Sequence, residues 1–265
     1  MKKVMTIAGS DSGAGAGIQA DLKAIAAMGA YGTTALTSVT IQNTLGVKGV
    51  YNLPLEIIEG QIDAIMEDIS SHAVKTGMLA TKEIISLVSK KVKEYKINKL
   101  VVDPVMVAAS GDVLLESDAV QTLIYELLPL AEVVTPNIEE AEVLTGLTIS
   151  NIYDMEAAAK KIAKMGPNYV IVKGGHRSED ATDILYNGEE IFHFPGDKID
   201  TNNIHGTGCT YAAALAACIA QEMTVIDAVG KAKQYITGGL VNSLSIGKGS
   251  GPVNHFWMFG DKMGK

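Results

Sequence analysis

The stretch Asn202-Asn-Ile-His-Gly-Thr-Gly-Cys-Thr210 runs directly into the alanine-rich segment Tyr211–Ala220. Alanine is the best helix former, so the segment predicts a helix whose N-terminus is the glycine loop. The unpaired N–H groups and the positive end of the helix dipole would bind phosphate, and Gly206 and Gly208 allow close backbone approach. Cys209 falls in the first turn, where the same field favours a thiolate. The alternative is a glycine-rich loop before a buried helix with a small apolar cysteine.

The length and charge of the chain restrict its class. Its 265 residues are within reach of one large α/β domain, and we expect a single domain over residues 1–265. The net charge of −8 gives no footprint for nucleic acid or for an anionic membrane surface. An anionic substrate would therefore need a local positive site, which the glycine loop could supply.

The two cysteines indicate a reducing compartment. Cys209 and Cys218 lie nine positions apart on one predicted helix, which separates them by ~13 Å. That distance excludes a disulfide between them, and free thiols suit the cytosol. The apolar run after Met1 is too short for a signal peptide or a membrane span, so we expect a cytoplasmic protein.

Predicted strands and helices alternate along most of the chain. Short apolar runs predict strands, and apolar residues at helical spacing predict helices. The predicted strands are Val4–Ala8, Tyr31–Thr40, Ala73–Thr76, the runs that begin at Leu100 and Val133, Tyr169–Val172, and a hairpin of Ile184–Tyr186 with Glu190–Phe194 across Asn187-Gly188. The predicted helices are Ile18–Met28, Leu55–Ile69, Lys82–Tyr95, Ala119–Leu128, Ile138–Leu144, Met155–Met165, the segment after Gly208, and Val225–Leu240. The second helix carries a stripe expected to be core: Ile57, Ile58, Ile62, Ile65, Met66 and Ile69.

This alternation predicts an α/β fold with a mostly parallel central sheet and helices on both faces. In such sheets the ligand lies beyond the carboxyl ends of the strands. Polar residues that end predicted strands are therefore candidates for a shared cleft: Gln42, Asp103, Asn137 and Lys173. Each of them alone is more often a helix cap or part of a solvated turn.

A second glycine loop, residues 9–17, follows the first predicted strand and precedes a predicted helix. The order of strand, glycine loop and helix suggests nucleotide binding. The dinucleotide fingerprint fails, because Ile18 stands where its third glycine is required. No G-x-x-x-x-G-K-[ST] sequence occurs, so a P-loop is also absent. The alternative is a tight strand-to-helix turn.

A series of ordered motifs covers nearly the whole chain. They are Thr6–Ser12, Ala16–Lys23, Gln42–Thr44, Lys75–Leu79, Asp103–Met106, Thr135–Asn137 with Glu140, Lys173–His176, His205–Thr210 and Gly247–Gly249. Together they closely resemble the hydroxymethylpyrimidine kinase/phosphomethylpyrimidine kinase family of thiamine biosynthesis, within the ribokinase-like superfamily. The sequence departs at Gly13-Ala14, where the family usually has Ser-Gly. The resemblance implies a ribokinase-like fold and an ATP-dependent kinase. Its substrates would be 4-amino-5-hydroxymethyl-2-methylpyrimidine and then the resulting monophosphate, giving the diphosphate.

The resemblance also implies a substrate pocket. Gln42 is expected to recognise the aminopyrimidine edge, because its amide offers a donor and an acceptor together. The Val105 backbone and Met78 would line the same pocket, with Asp21 and the Gly9 loop nearby.

Nucleotide and metal residues follow from the same resemblance. Glu140 is expected to help hold Mg²⁺ through water, and Asp103 to contribute to the same site. Lys173 would meet the phosphates of ATP. The other implied nucleotide-binding residues are Asn137, Thr207 and Lys248.

The implied chemistry centres on the N-terminus of the alanine-rich helix. The N–H groups of Gly206, Thr207, Gly208 and Cys209 would form the anion hole for the transferred phosphoryl group. Cys209 occupies the position where ribokinase-like sugar kinases carry an Asp general base, so a thiolate there would accept the hydroxyl proton in the first step. The second step attacks from an ionised phosphate oxygen and needs no base.

Two other functions compete with this interpretation. A pyridoxal kinase of the same superfamily also phosphorylates a hydroxymethyl group on a flat heteroaromatic ring. Gln42–Thr44 and the intact Gly-Thr-Gly-Cys sequence favour the pyrimidine, although dual activity stays open. A non-catalytic ligand sensor is the second competitor, and retention of Cys209, Glu140 and Lys173 argues against it. The resemblance also implies a homodimer.

Overall fold

The computed structural model describes residues 1–107, 111, 114–116, 118–175 and 180–263, with side chains as far as residue 260. Nine strands form one sheet in these parts of the chain. They are β1 (Lys3–Ser10), β2 (Tyr31–Asn43), β3 (Gly46–Asn52), β4 (Ala73–Thr76), β5 (Leu100–Val102), β6 (Val133–Val134), β7 (Tyr169–Val172), β8 (Asp183–Tyr186) and β9 (Ile191–Phe194). Their order across the sheet is β3-β2-β1-β4-β5-β6-β7-β8-β9.

The middle of the sheet is parallel and its two margins are antiparallel. Strands β2, β1, β4, β5, β6 and β7 pair in parallel with their neighbours. At one margin β3 folds back on β2, and at the other β8 and β9 form the predicted hairpin across Asn187-Gly188. Gly188 has a φ of 94°, which explains why the turn needs glycine. The predicted, mostly parallel sheet is confirmed.

Helices connect the parallel strands in the described residues. They are α1 (Gly17–Ala27), α2 (Leu55–Ala64), α3 (Lys82–Glu94), α4 (Ala119–Thr122), α5 (Ile138–Thr145), α6 (Ile152–Ala163), α7 (Thr207–Ala220) and α8 (Val225–Val241). Short π-helical segments extend α2 over Ile65–Ile69 and α4 over Leu123–Leu127. A 3₁₀ turn over Leu128–Leu130 follows the second of these, and another 3₁₀ segment spans Trp257–Met263.

The sheet separates two apolar layers, as predicted for helices on both faces. Val101 packs with α1, α7 and α8, whereas Leu100 and Val102 pack on the other face with α2, α3, α5 and α6. Successive side chains of a strand point to opposite faces, so a short apolar run supplies both layers.

Helix α7 is buried along its length from Thr210 to Ala220. It contacts α1 and α8 as well as β1, β4 and β5. A helix that is apolar on every side is stable only when other elements surround it, and small alanine side chains permit close approach. This burial fixes the N-terminus of α7 at the carboxyl edge of the sheet.

Two expectations about the first half of the chain were wrong. Strand β2 continues to Asn43 and pairs with β3, which the sequence did not predict because two glycines weaken its strand pattern. Ile57 is 50% exposed, so the predicted apolar stripe is wrong there, whereas Ile58 and Ile62 are fully buried. Adjacent helical residues do not share a face, which explains why Ile57 and Ile58 differ.

None of the helices in the described ranges combines the length and the apolar character that crossing a membrane would require.

Candidate active site

The two glycine loops pack directly against each other at the carboxyl edge of the sheet. Gly206 has a φ of 79°, and a Cβ there would stand 1.8 Å from the Gly15 carbonyl oxygen. A Cβ on Gly15 would stand 2.2 Å from Cδ2 of His205. Side chains at either position would push the loops apart, so the close approach itself requires glycine.

A single carboxylate joins these loops. Asp11 accepts hydrogen bonds from the backbone N–H groups of Gly13, Gly15 and Ala16 at 2.7, 2.9 and 2.8 Å. Its Oδ2 also lies 2.8 Å from Nε2 of His205. Burial raises the pKa of Asp11, but the bonds from His205 and the backbone outweigh it and leave the pKa below its ordinary value. The local sequence pattern predicted no role for Asp11 or for the His205 side chain.

The departure at Gly13-Ala14 has a visible structural consequence. Ala14 has a φ of 61°, in the left-handed region that favours glycine. Nζ of Lys23 donates to the Ala14 carbonyl oxygen at 2.8 Å. The loop is therefore held in this conformation from both ends, by Asp11 and by Lys23.

The N-terminus of α7 is open to a ligand. Gly206 is its N-cap and no side chain caps the helix. Thr207 directs its hydroxyl to the Ile204 carbonyl oxygen at 2.6 Å rather than to the helix end. The N–H groups of a first helical turn lack intrahelical partners, so those around Gly208 and Cys209 can receive an anion.

Cys209 lies beside Gly17, whose N–H donates to its sulfur, and is partly exposed. Burial raises the pKa of the thiol to about 11, while the positive charge of Lys75 lowers it. The expectation of an acidified thiol is therefore wrong for the ligand-free protein. The reason is that loss of hydration, together with the negative charges of Asp21 and Asp103, outweighs the positive charge of Lys75 and the Gly17 N–H. Both cysteines are free, as expected.

Lys173 and Asp103 form an ion pair under the open helix end. Nζ of Lys173 lies 3.0 Å from Oδ1 of Asp103 and 2.5 Å from the Thr135 carbonyl oxygen. A Cβ on Gly208 would stand 3.5 Å from that Nζ and 3.7 Å from Oδ2 of Asp103. The predicted phosphate-binding lysine and the predicted anion hole are thus neighbours, although 35 residues separate Lys173 from Gly208 in the sequence.

Glu140 and Asn137 form a capping box at the start of α5. The Asn137 N–H donates to Oε2 of Glu140 at 2.8 Å, and the Glu140 N–H donates to Oδ1 of Asn137 at 2.8 Å. Burial raises the pKa of Glu140, Lys173 lowers it, and the negative charge of Asp103 raises it further. A buried carboxylate whose ionisation is disfavoured by a second negative charge fits a site that a cation would complete.

The residues predicted to bind the pyrimidine come from two neighbouring strands, Gly9 in β1 and Gln42 in β2, and from the segments after β4 and β5. Met78 is buried, and a Cβ on Gly9 would stand 2.5 Å from its methyl carbon. Gln42 is half-buried, and its Oε1 accepts from the Thr40 hydroxyl at 3.1 Å. Val105 is also half-buried. The structure therefore brings Gly9 and Met78 close together. Their binding of the pyrimidine stays a prediction.

Asp21 lies on α1 and has no exposed surface. Its oxygens are 3.0 and 2.9 Å from Nζ of Lys75, and the Thr6 hydroxyl donates to it at 2.6 Å. Burial raises the pKa of Asp21 above its ordinary value despite the charge of Lys75. Burial lowers the pKa of Lys75, but the negative charge of Asp21 outweighs it and the pKa of Lys75 lies above its ordinary value. The Thr6 hydroxyl and the Lys75 ammonium group both donate to Asp21, which favours the ionised form of the Asp21–Lys75 pair. Direct contact of Asp21 with substrate stays a prediction, and Lys75 was not singled out.

Lys248 lies on an exposed loop. The Gly249 N–H donates to the Thr44 hydroxyl at 3.2 Å, and the Ser250 N–H donates to the Thr44 carbonyl oxygen at 3.0 Å. This loop therefore packs on the turn between β2 and β3, and its contact with nucleotide stays a prediction. His176, the end of the Lys173–His176 motif, lies outside the described residues.

The architecture is that of the ribokinase-like small-molecule kinases. A family model described as phosphomethylpyrimidine kinase matches residues 11–254, and the chain belongs to this family. The chain is 47% identical over 256 residues to the hydroxymethylpyrimidine/phosphomethylpyrimidine kinase of Bacillus subtilis, covering 96% of this chain and 94% of that protein.

Solved structures show the same likeness. An ADP complex of Bacillus subtilis pyridoxal kinase matches with a TM-score of 0.91 and 40% identity, over 98% of this chain and 99% of that one. A phosphomethylpyrimidine kinase from Clostridium difficile matches with a TM-score of 0.81 and 42% identity, over 89% of this chain and 98% of that one.

Proposed function

We propose that the chain is an ATP-dependent kinase that phosphorylates 4-amino-5-hydroxymethyl-2-methylpyrimidine and then its monophosphate. The observation that carries the proposal is the uncapped N-terminus of α7 next to the Lys173–Asp103 pair. Backbone N–H groups and a lysine at this point would stabilise the charge that a transferred phosphoryl group spreads over its oxygens. Identity of 47% to a kinase with these two activities supports the same substrates.

The first transfer joins the substrate hydroxyl oxygen to the γ-phosphorus and breaks the bond from that phosphorus to the bridging oxygen of ADP. The hydroxyl proton passes to Cys209 as the new bond forms. The thiol is protonated in the ligand-free protein at neutral pH, so it must lose its own proton before it accepts that of the hydroxyl, and the positive charge of Lys75 favours the thiolate.

Asp103 and Glu140 fit a magnesium site, because both are buried and the negative charge of Asp103 raises the pKa of Glu140. Bound Mg²⁺ would neutralise charge on the β- and γ-phosphates. Asp103 and Glu140 would hold it through water, since Mg²⁺ keeps several waters and takes one or two carboxylates. Lys173 would orient the phosphates from the other side, with Asn137, Thr207 and Lys248 further along the nucleotide.

A pyridoxal kinase activity is the second candidate, and one observation favours it. The overall likeness to a pyridoxal kinase reaches a TM-score of 0.91. Gln42 is the residue expected to distinguish the substrates, because its amide suits the aminopyrimidine edge. Both ring substrates therefore belong in the test.

We further propose that the enzyme is a cytosolic homodimer. Val39 and Tyr51 pair across β2 and β3 and, with Ile41 and the nearby Ile57, present an exposed apolar face. An apolar patch of this kind marks an interaction site, and a second copy would cover it. Two free thiols suit a reducing cytosol. Light scattering of wild type and of Ile41→Glu tests the dimer, which predicts a smaller mass for the variant.

The decisive assay measures ADP release with the hydroxymethylpyrimidine, its monophosphate, pyridoxal, and no acceptor. The proposal expects ATP- and Mg²⁺-dependent release with both pyrimidines. A higher kcat/KM for pyridoxal than for either pyrimidine would establish the second candidate instead. If none of the three acceptors increases ADP release above the rate without acceptor, kinase activity on these rings would be rejected.

A further inference from the structure

A cavity of about 220 Å³ lies against the glycine loop of residues 9–17. Its walls come from residues 13–15, from the Asn43-Thr44 turn, and from residues 252–256. Among the described residues that line it, none belongs to the predicted anion hole, magnesium site or pyrimidine pocket. The cavity therefore adjoins the glycine loop of residues 9–17 and the Gln42–Thr44 motif, but it shares no lining residue with Gln42, Asp21, Met78, Val105 or Gly9.

Much of the cavity wall is apolar. Leu244, Ile246, Pro252 and Phe256 contribute flat or branched hydrocarbon surface. An apolar protein cavity of ~150 Å³ holds benzene, so the volume here suits a single six-membered ring with small substituents. A flat ring would bury its faces against these side chains.

Lys23 gives the cavity a positive group. Its Nζ donates to the Ala14 carbonyl oxygen, which leaves two of the three ammonium hydrogens for a ligand. Burial lowers the pKa of Lys23 and the Asp11 carboxylate raises it. Asp11 already accepts three backbone N–H groups and the His205 bond. An anionic group beside Lys23 would therefore compensate a cation that has only a carbonyl as its direct partner.

We propose that this cavity binds a monocyclic aromatic phosphate. The ring lies against Leu244, Pro252 and Phe256, and the phosphate accepts hydrogen bonds from Lys23. Two of the walls, Gly15 and His205, are also the residues at which the glycine loops touch. A bound ligand therefore stiffens the support of the anion hole and alters the rate of transfer, and this second part rests on the proposed kinase function.

The chain carries its own reporter for this site. Trp257 is the single tryptophan and directly follows Phe256 in the cavity wall. Its indole N–H donates to the Tyr235 carbonyl oxygen at 3.0 Å, which fixes the ring in place. Ligand binding is thus measurable by tryptophan emission in the absence of ATP and of any turnover.

The experiment titrates the full chain with phenyl phosphate and, as partial probes, with inorganic phosphate and phenol. A saturable emission change is expected for phenyl phosphate, at concentrations well below those that either partial probe requires. Lys23→Met removes a charge-assisted bond and is expected to weaken binding by about tenfold or more. Lys48→Met, on the exposed face of β3, is the matched control and should leave the affinity unchanged.

A second variant preserves the Lys23–Ala14 bond. Ile246 is 56% exposed at the cavity rim, so Ile246→Glu should fold and repel the phosphate. Leu45→Glu, 64% exposed and outside the cavity, is its control. Wild-type affinity in Ile246→Glu, no saturable change in wild type, or displacement of the probe by the hydroxymethylpyrimidine with an ATP analogue would each overturn the site. Binding without kinase activity would reject the proposed function and leave the site standing.

The kinetic arm measures the rate at saturating substrates with and without phenyl phosphate. Wild type should change its rate, and Ile246→Glu should not. Saturable binding with an unchanged wild-type rate would overturn the regulatory part of the proposal alone.

Discussion

His205 and Asp11 connect the two glycine loops through a contact of 2.8 Å between Nε2 and Oδ2. The histidine immediately precedes Gly206, the N-cap of α7, and the aspartate accepts three N–H groups of the loop of residues 9–17. The pair therefore sets the position of the predicted anion hole relative to the loop of residues 9–17. No other hydrogen bond among those of the described residues joins the two loops through a pair of side chains.

His205→Asn is expected to lower kcat for both phosphorylation steps by the same factor, of order 10²-fold, because both transfers use one anion hole. The KM for the pyrimidine should change little. Unequal loss in the two steps would argue that His205 acts on one acceptor rather than on the hole. His193→Asn is the control, since it breaks an exposed pair with Glu156 of 2.9 Å on β9.

Asp11 adds a pH dependence to this pair. Its folded-state pKa lies below the ordinary value, so its contribution to stability is present above the unfolded carboxyl pKa. The contribution is lost as the pH falls through the folded-state pKa. Asp11→Asn should therefore lose stability near neutral pH and show less further loss on acidification than wild type, measured by urea unfolding at several pH values.

Cys209→Ala is expected to slow the first phosphorylation, where a general base is typically worth ~10²–10⁴-fold, and to spare the second. The second nucleophile arrives ionised, and the backbone anion hole does not depend on the thiol. Cys218→Ala is the control, because Cys218 is fully buried in the same helix. Equal loss of both steps in Cys209→Ala would point to packing or to the anion hole.

The raised pKa of about 11 predicts that Cys209 reacts slowly with alkylating reagents at neutral pH. Iodoacetamide should modify the ligand-free protein slowly at pH 7, and the rate should rise until the pH approaches that value, since the thiolate is the nucleophile. Mass spectrometry of the labelled peptide distinguishes Cys209 from Cys218. A rate at Cys209 that levels off below pH 8 would contradict the burial argument.

Gln42→Ala is expected to weaken binding of the hydroxymethylpyrimidine by roughly 1–3 kcal/mol, because a polar edge of the ring would be left unpaired. The affinity for ATP should hold. Calorimetric titration with each ligand measures both. Gln61→Ala is the control: Gln61 bonds the Leu36 backbone at 2.9 and 3.1 Å, so its loss should lower stability without changing pyrimidine affinity. Equal weakening of ATP and pyrimidine would remove Gln42 from the pocket.

Glu140→Gln is expected to raise the Mg²⁺ concentration needed for half-maximal activity, because a carboxylate suits a hard cation. Burial and Asp103 both raise the pKa of Glu140, so the ionised carboxylate is one that Mg²⁺ would stabilise. Activity is titrated with Mg²⁺ at fixed ATP. Glu139→Gln, on the exposed side of the same helix, is the control. An unchanged titration would exclude Glu140 from the metal site.

Lys75→Met is expected to destabilise the fold by ~3–5 kcal/mol, because it leaves the Asp21 carboxylate buried without its partner. Asp21→Asn combined with Lys75→Met removes the stranded charge and should recover much of the loss. Urea unfolding measures both. A double variant no more stable than Lys75→Met would show that packing of the lysine stem, rather than the ion pair, carries the effect.

The amino-acid sequence by itself determined the elements whose signal is local. The alanine-rich run fixed α7 and its open N-terminus, because helix propensity and glycine act within a few residues. The alternation of apolar runs and amphipathic segments determined the α/β fold. Asn137 followed three residues later by Glu140 is a capping pattern visible in the chain, and the structure forms that box. Strand β3 was not predicted, because short edge strands that contain glycine carry little periodic signal.

Only the tertiary structure decided which charges meet. Asp11 and His205 are 194 positions apart, Asp103 and Lys173 are 70 apart, and Asp21 and Lys75 are 54 apart. No local pattern specifies such pairs, because they depend on how the strands are ordered in the sheet. The thiol of Cys209 shows the same limit. Its place at a helix N-terminus could be predicted from the sequence, but the direction of its pKa shift depends on how much water the folded protein excludes, and burial there outweighs the positive charge of Lys75.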